Sequence, residues 1–349
     1  MTDDSPPEFD RYVRQMRFAP LGVEGQRQIS QSRVLVCGCG ALGSVIANTL
    51  ARAGVGHLRI VDRDFLEWNN LQRQVLYTEA DVTAGIPKSV AAKAHLEQIN
   101  SEIELEAVVA NVSAENIGEL IDSVDCIVDG TDNFETRFLL NDAAIKNNIP
   151  WVYGGCIGSE GQSMTILPGE TPCLHCLMQA GAPPPGTTPT CDSAGILSPI
   201  INVIASFQAM EVLKIISGNR HKISRVLHIF DLWENQARQV KLTQLTENND
   251  CPTCKHQQFD WWTGKQGSQT AVLCGRNAVQ LSFGREDQID LNQLSQKLSN
   301  LGTVSVNAFL LQASIEDYAI TVFADGRAII KGTEDEVVAR NVYAKYIGN

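Results

Sequence analysis

At 349 residues, 44% of them apolar, and with a net charge of −12, the chain has room for one large or two ordinary domains and a substantial core. That charge excludes indiscriminate nucleic-acid binding, so no nucleic-acid partner is expected. The start MTDDSPPEFD is polar and acidic rather than signal-like, and no run approaches about 18 uninterrupted apolar residues; no membrane span is expected, and the cytoplasm is the expected location. The acidity is uneven. Residues 255–349 hold 9 Lys/Arg against 10 Asp/Glu, a net of −1, which leaves −11 on residues 1–254. A carboxylate ligand would therefore need a local positive site. Ten cysteines in such a chain point to metal and thiol chemistry rather than disulfides.

The first turns, RYVRQMRF, place Arg11, Arg14 and Arg17 on one helix face, read as a solvated basic face for Arg11 and Arg17. Val34, Leu35 and Val36 then form a buried strand, followed by Gly38, Gly40 and Gly43 as G-x-G-x-x-G. Ala41 to Ala53 reads as a helix with apolar Leu42, Val45, Ile46 and Leu50, and the strand LRIVD ends in Asp62, 24 residues after Gly38. Strand, glycine turn, helix, strand and acid are the dinucleotide-type fingerprint in its proper context. Gly38 permits the turn, Gly40 lets phosphate approach, Gly43 lets helix and strand pack, and the helix N-terminus offers N–H groups to an anion. Asp62 can accept from ribose hydroxyls. The fingerprint leaves NAD, FAD and ATP open.

After Asp62, Asn70, Gln72, Arg73 and Gln74 form a donor-rich cluster at a strand's carboxyl end, where ligands bind in such sheets. Arg73 can fork onto phosphate oxygens. Gly85, Pro87 and Lys88 open a helix running to about Asn100, with a first-turn lysine opposing the macrodipole and suited to an anion. A strand over 106–111, a helix over 114–122 and a buried strand ending near Asp129 and Asp132 follow. A carboxylate at Asp132 could hold magnesium beside phosphates, or Asp132 and Asn133 could cap the next helix. The alternation to about residue 155 predicts a Rossmann-like, doubly wound, mostly parallel α/β sheet.

CLHC supplies Cys173 and Cys176, and CPTC supplies Cys251 and Cys254. Two C-x-x-C knuckles about 75 residues apart predict a four-thiolate zinc site that clips distant segments, with redox chemistry the alternative for one pair. His175 and His256 are read as bystanders. MQAGAPPPGTTPTCDSAG is loop-like, and Cys191 at its end precedes an apolar helix starting near Pro199, a setting that can activate a thiol or leave it idle. Cys37, Cys39, Cys126 and Cys156 read as core. Strands RVLHIFDL and QARQVKLT close the main body, spanning residues 1–254; a polar linker, 255–270, carries Trp261 and Trp262. Residues 271–349 predict a small α+β module of β-α-β-β-α order, with a hairpin turn at Asp325-Gly326 and a thiol at Cys274.

RYVRQ, GCGALG, VDRDFLEWNNLQRQ, IPK, GTDN, CLHC, TCDSAGI and CPTC, in that order, resemble the ThiF/MoeB/HesA family, bacterial relatives of ubiquitin-activating enzymes, over roughly residues 8–254. Cys39 and Ala41 depart from the usual glycine loop only at its x positions. The resemblance implies an adenylyltransferase (nucleotidyltransferase) that joins AMP to the C-terminal carboxylate of a ubiquitin-like sulfur carrier ending in Gly-Gly and releases pyrophosphate. It implies ATP contacts from Gly38, Gly40, Ala41, Leu42, Gly43, Asp64, Asn70, Gln74 and Asn133, with Asp62 on the ribose and Arg73 and Lys88 on the phosphates. It further implies magnesium (Mg2+) on Asp132 and structural zinc (Zn2+) on Cys173, Cys176, Cys251 and Cys254. Arg14 would reach the neighbouring subunit's ATP in a homodimer, and Cys191 matches a loop thiol that in some members attacks the carrier or joins in sulfur transfer from a donor such as a cysteine desulfurase. A carboxylate nucleophile needs no general base at pH 7, in keeping with the absence of an evident catalytic histidine among the six. The tail lacks a recognisable rhodanese domain; similar tails occur on some ThiF-like proteins, which favours the thiamine carrier, with the molybdopterin carrier next. The rival expectations are an NAD-dependent oxidoreductase on the same fold, which leaves Arg73, Lys88 and Asp132 unexplained, and a non-catalytic scaffold subunit.

Overall fold

The computed structural model describes residues 7–179, 181–183, 191–242, 245, 250–266, 270–273, 277–281 and 289–348, without the side chains of residues 7, 8, 191, 192 and 270–273. The chain forms two compact units, Met1–Ala182 with Ile196–Gln266, and Pro183–Gly195 with Gly267–Asn349.

The first unit is built on eight strands: β1 (Arg33–Cys37), β2 (His57–Asp62), β3 (Glu104–Val109), β4 (Cys126–Asp129), β5 (Trp151–Ile157), β6 (Glu160–Ile166), β7 (Val226–Asp231) and β8 (Gln236–Lys241). They lie in the order β3-β2-β1-β4-β5-β6-β7-β8. The pairs from β3 to β5 are parallel and those from β5 to β8 antiparallel. Side chains alternate across a strand, so Val34 and Val36 enter one apolar cluster while Leu35 and Cys37 enter the other. Burial on both faces is why the run reads as continuously apolar.

The described residues form seven helices of eight or more residues: α1 (Gly22–Gln31), α2 (Ala41–Ala53), α3 (Lys88–Ile99), α4 (Phe134–Asn147) and α5 (Ser198–Ile216) in the first unit, and α6 (Leu291–Leu298) and α7 (Glu336–Tyr346) in the second. Residues of α2, α3 and α5 cover one face of the large sheet, and α4 with the short helix Ile117–Leu120 covers the other. This is the doubly wound arrangement expected. α5 is long and apolar enough to cross a membrane by length and composition, but half of it is buried. Ile200, Ile201, Ile204, Ala205, Ala209 and Val212 belong to the core against α2, so its apolarity serves packing.

Three local expectations shift. The strand expected over 106–111 runs from Glu104 to Val109. The helix expected over 114–122 is a single turn, Ile117–Leu120, because Asn116 accepts the Ser113 N–H at 2.9 Å and donates to the Asn111 carbonyl at 2.8 Å, holding the preceding residues in a turn. Arg11, expected to be solvated, donates Nη1 to the Ile99 carbonyl at 3.0 Å and to Asn100 Oδ1 at 2.7 Å, which ties the N-terminal helical turns to the end of α3.

The second unit holds β9 (Thr270–Leu273), β10 (Ala278–Leu281), β11 (Thr303–Val306), β12 (Leu310–Ile315), β13 (Tyr318–Phe323) and β14 (Ala328–Lys331) in one sheet, ordered β11-β12-β13-β14-β10-β9, with every pair antiparallel. α6 and α7 supply Leu291, Leu294, Leu298, Ala339, Val342 and Tyr343 to its core. The expected β-α-β-β-α order gains strands. β9 precedes β10, and VSVNAFLLQA breaks at Asn307, whose Oδ1 accepts the N–H groups of Phe309 (2.8 Å) and Leu310 (2.9 Å). The Asp325-Gly326 hairpin is present, with Gly326 at φ +87°.

Candidate active site

The site grows from the carboxyl ends of β1, β2 and β4. Gly38 turns the chain with φ +83°, and its N–H donates to the Val61 carbonyl at 2.7 Å. A Cβ on Gly43 would stand 1.9 Å from the Gly38 carbonyl oxygen, and one on Gly130 would stand 2.4 Å from the same atom. Turn, helix and the β4 loop thus meet through bare backbone. A Cβ on Gly40 would meet only Gln74 Nε2, at 3.7 Å, so the space over Gly40 is open. Gly40 is the N-cap of α2 and supplies no side chain, leaving the N–H groups of the first turn, from Ala41, Leu42 and Gly43, for an anion.

Asp62 closes the back of the turn. Its Oδ2 accepts the Cys39 N–H at 2.6 Å and its Oδ1 accepts the Asp64 N–H at 2.7 Å. Burial pushes its carboxyl up from the ordinary range, opposed by the nearby Lys88 ammonium. Each oxygen keeps a further lone pair for a hydroxyl donor. Lys88, at the first position of α3, is 5% exposed and donates Nζ to Asp64 Oδ2 at 3.3 Å. This buries a positive charge at the start of α3, next to the glycine turn and Asp62. Gln74 is buried, and its Oε1 has no hydrogen-bond partner among the described residues, so an acceptor stands ready beside the open turn. Asn70 is committed to structure: its Oδ1 accepts the Glu67 N–H at 3.1 Å in a capping box. Arg73 follows on the same loop, Nη1 donating to the Asn69 carbonyl at 2.7 Å.

After β4, the two readings of Asp132 and Asn133 separate. Asn133 Oδ1 accepts the Thr136 N–H at 2.8 Å and caps α4, which frees exposed Asp132 from that task. The loop is anchored by an ion pair that sequence patterns do not reveal. Arg137 donates Nε to fully buried Asp129 Oδ2 at 3.0 Å, and Nη2 to the carbonyls of Thr131 (2.7 Å) and Gly154 (3.0 Å). Its guanidinium lies 5.3 Å from the centroids of both Phe134 and Tyr153. Arg14 is exposed on the N-terminal helical turn, and among the described residues no hydrogen bond or ion pair ties it to the glycine turn of its own chain.

The knuckles converge. The four sulfurs of Cys173, Cys176, Cys251 and Cys254 all lie within 4.8 Å of one another, with Cys173–Cys176 at 3.7 Å, Cys173–Cys251 at 3.6 Å and Cys176–Cys254 at 3.3 Å. Four thiolates around a tetrahedral zinc at about 2.3 Å would be about 3.8 Å apart, so the donor set fits that ion. His175 stands outside the cluster, Nδ1 against Thr253 Oγ1 at 3.1 Å, as a bystander should. Thr253 donates to Asp142 Oδ1 at 3.4 Å. Asp142 Oδ2 accepts the N–H groups of Trp261 (3.0 Å) and Trp262 (3.3 Å), holding the segment after the second knuckle against α4. Trp261 stacks on Phe138 with centroids 5.7 Å apart, so the tryptophans pack.

A model of the ThiF family matches residues 12–253. The chain belongs to the ThiF family. Its similarity extends beyond the family core: it is 44% identical over 339 residues, 97% of this chain and 99% of the other, to the sulfur carrier protein ThiS adenylyltransferase of Bacillus subtilis. It is 38% identical over 252 residues, 71% of this chain and 91% of the other, to the sulfur carrier protein adenylyltransferase of Thermus thermophilus. In fold it is similar to the solved structure of E. coli MccB with ATP, at a TM-score of 0.61 and 24% identity over 72% of this chain and 75% of that one.

Among the family's motifs, the structure brings Gly38, Gly40, Gly43, Asp62, Asp64, Gln74 and Lys88 around one turn, with Arg73 and Asp132 on the two loops after β2 and β4. Cys191 opens the short helix Cys191–Ala194 within the second unit's span. Residues 184–190 of the preceding loop, and Cys274, lie outside the described residues. Cys37, Cys39 and Cys126 are core as expected, and burial pushes the Cys39 thiol up to about 12, so it is no nucleophile at neutral pH. Sequence patterns did not single out Tyr77, Arg137 or Asp142. Arg137 lies one helical turn after the GTDN motif, and that position on a first turn facing a buried strand-end acid was the available signal.

Proposed function

We propose that this chain uses ATP to adenylate the C-terminal Gly-Gly carboxylate of a ubiquitin-like sulfur carrier, a ThiS-type carrier of thiamine synthesis before a MoaD-type carrier of molybdopterin synthesis. One observation carries the reading: the similarity to the B. subtilis ThiS adenylyltransferase runs through 97% of this chain and so includes the second unit.

In the proposed reaction a carboxylate oxygen of the carrier attacks the α-phosphorus of ATP, and the bond from that phosphorus to the bridging oxygen breaks. Pyrophosphate leaves with the electron pair, and the carrier keeps a mixed anhydride with AMP. No proton has to move, because the carboxylate is ionised at pH 7. Asp62 would accept from the ribose. The N–H groups at the start of α2, Lys88 and Arg73 would hold the phosphates and stabilise the charge that gathers on their oxygens. Positioning two bound reactants supplies much of the remaining acceleration. Magnesium, when bound, offsets phosphate charge, and Asp132 is the residue that would hold it, since Asn133 already caps α4. Zinc would be held by Cys173, Cys176, Cys251 and Cys254 and would supply a cross-link between two distant segments.

The exposed Arg14 supports a homodimer in which it reaches the partner's ATP. Cys191 would take up the activated carrier, its thiol displacing AMP to form a thioester, or accept the outer sulfur of a persulfide on a donor such as a cysteine desulfurase, whose thiol is released. The test is ATP–pyrophosphate exchange that depends on a Gly-Gly-tailed carrier. No exchange, together with NAD binding in the crevice, would overturn the reading.

A further inference from the structure

The glycine turn presents one peptide group whose direction matters more than the rest. The Cys39–Gly40 bond is trans, as are all the described peptide bonds, so its C=O and N–H point opposite ways. The carbonyl points inward: Tyr77 Oη donates to the Cys39 oxygen at 2.6 Å. The Gly40 N–H therefore points away from Tyr77. No acceptor among the described residues takes it, and a Cβ on Gly40 finds only Gln74 Nε2, at 3.7 Å. The N–H of Cys39, on the preceding peptide, is held by Asp62 at 2.6 Å. Both peptides that meet at Cys39 are thus fixed by side chains from outside the turn.

Tyr77 reaches further. The same hydroxyl lies 3.2 Å from the Lys88 carbonyl, at the start of α3. One buried hydroxyl, 8% exposed with its residue, therefore bridges the turn and the helix that carries the lysine. Tyr77 touches no reacting atom. It is held by its place after the Arg73 loop, where the Tyr77 N–H donates to the Gln74 carbonyl at 3.3 Å.

We propose that Tyr77 is a positioning residue: its hydroxyl fixes the Cys39–Gly40 peptide so that the Gly40 N–H faces a phosphate of the bound nucleoside triphosphate, and keeps that turn in register with Lys88. Without the hydroxyl the Cys39 carbonyl loses its donor, the peptide is free to rotate about the two dihedrals flanking it, and the bound triphosphate loses an aligned donor. The inference rests on the proposed ATP site, and its test separates the two.

Tyr77→Phe keeps the ring and removes the donor. Equilibrium binding of ATP, measured by calorimetry on the full chain without any carrier, should weaken about tenfold, the scale of one lost hydrogen bond to a charged group. In carrier-dependent exchange the KM for ATP should rise by the same factor while the KM for the carrier stays put. Tyr343→Phe is the control: it removes an equally buried hydrogen bond, Tyr343 Oη to the Gly326 carbonyl at 2.9 Å, in the second unit, and should leave ATP affinity unchanged. Tyr77→Met, which also lacks a donor, should match Tyr77→Phe. Unchanged ATP affinity in Tyr77→Phe would overturn the assignment, as would loss of the folded far-ultraviolet spectrum in both Tyr77 variants, which would make the hydroxyl purely structural. If ATP binding weakens as expected but the wild-type chain shows no exchange with a Gly-Gly-tailed carrier, Tyr77 keeps its role and the adenylation reading fails.

Discussion

Gly43 and Gly38 are in backbone contact: a Cβ on Gly43 would stand 1.9 Å from the Gly38 carbonyl oxygen, closer than any real side chain approaches. The neighbouring atom is main chain, so no rotamer change can relieve the clash. The start of α2 therefore sits as close to β1 as it does only because position 43 has no side chain.

Gly43→Ala should push α2 off the strand. The expected cost is about 2 kcal/mol or more of folding stability, together with a marked fall in ATP affinity as the first-turn N–H groups move. Urea denaturation and calorimetry on the same preparation check both. An alanine variant with wild-type stability would mean that the turn tolerates a side chain at this contact.

Arg73 and Asp132 lie on loops and support little of the fold; Arg73 Nη1 reaches only as far as the Asn69 carbonyl, 2.7 Å away on the same loop. Arg73→Ala and Asp132→Ala should each lower pyrophosphate exchange by about 100-fold or more while shifting stability by no more than about 0.5 kcal/mol. Exchange at the wild-type rate in either variant would remove that residue from the phosphate site.

The cysteine cluster predicts one zinc per chain by elemental analysis. Stripping it with a chelator, or Cys251→Ser, should lower stability by several kcal/mol and lower the unfolding temperature. ATP affinity at low temperature should hold, because the cluster packs beside α4 rather than at the glycine turn. Metal-free protein with an unchanged unfolding temperature would rule out the clip.

Asp142 predicts a pH dependence with a definite sign. It is 1% exposed, and burial pushes its carboxyl from 3.8 up to about 6, against the N–H groups of Trp262 and Trp261 that favour the charged form. The folded chain thus binds this proton more tightly than the unfolded chain does. The contribution is fully present below about pH 4 and is lost as the pH rises through about 6. Asp142→Asn keeps an oxygen for the tryptophan N–H groups and has no charge to bury. Its stability relative to wild type should therefore rise between pH 4 and 6 and level off above. Urea midpoints at pH 4, 5, 6 and 7 read this directly; a flat difference across that range would contradict the assignment.

Much of the site was legible because its signals are local. Gly38, Gly40 and Gly43 announce themselves by spacing, the strands by runs such as VLV, and Asp62 and Lys88 by their distance from those runs, since backbone stereochemistry within some fifteen residues decides a turn, a strand or a helix start. The two C-x-x-C pairs could likewise be matched to each other by their chemistry. Where the chain's own local chemistry was ambiguous, packing settled it. Asn133 rather than Asp132 caps α4, and the segment WVYGGCIGSEGQSMTI pairs antiparallel as β5 and β6, where its glycines left no alternation to read.

The chain's order of residues determined by itself that a glycine turn and an acid would stand at the ends of parallel strands and a lysine at the start of a helix, and that four thiols were available for one ion. Only the tertiary structure decided which distant groups meet: Arg11 with the end of α3, Arg137 with Asp129 and the Gly154 carbonyl, Asp142 with Trp261, and Tyr77 with both Cys39 and Lys88. The reason is physical. A buried hydrogen bond forms wherever packing brings a donor to an unpaired carbonyl or carboxylate, and that depends on how whole helices settle on the sheet.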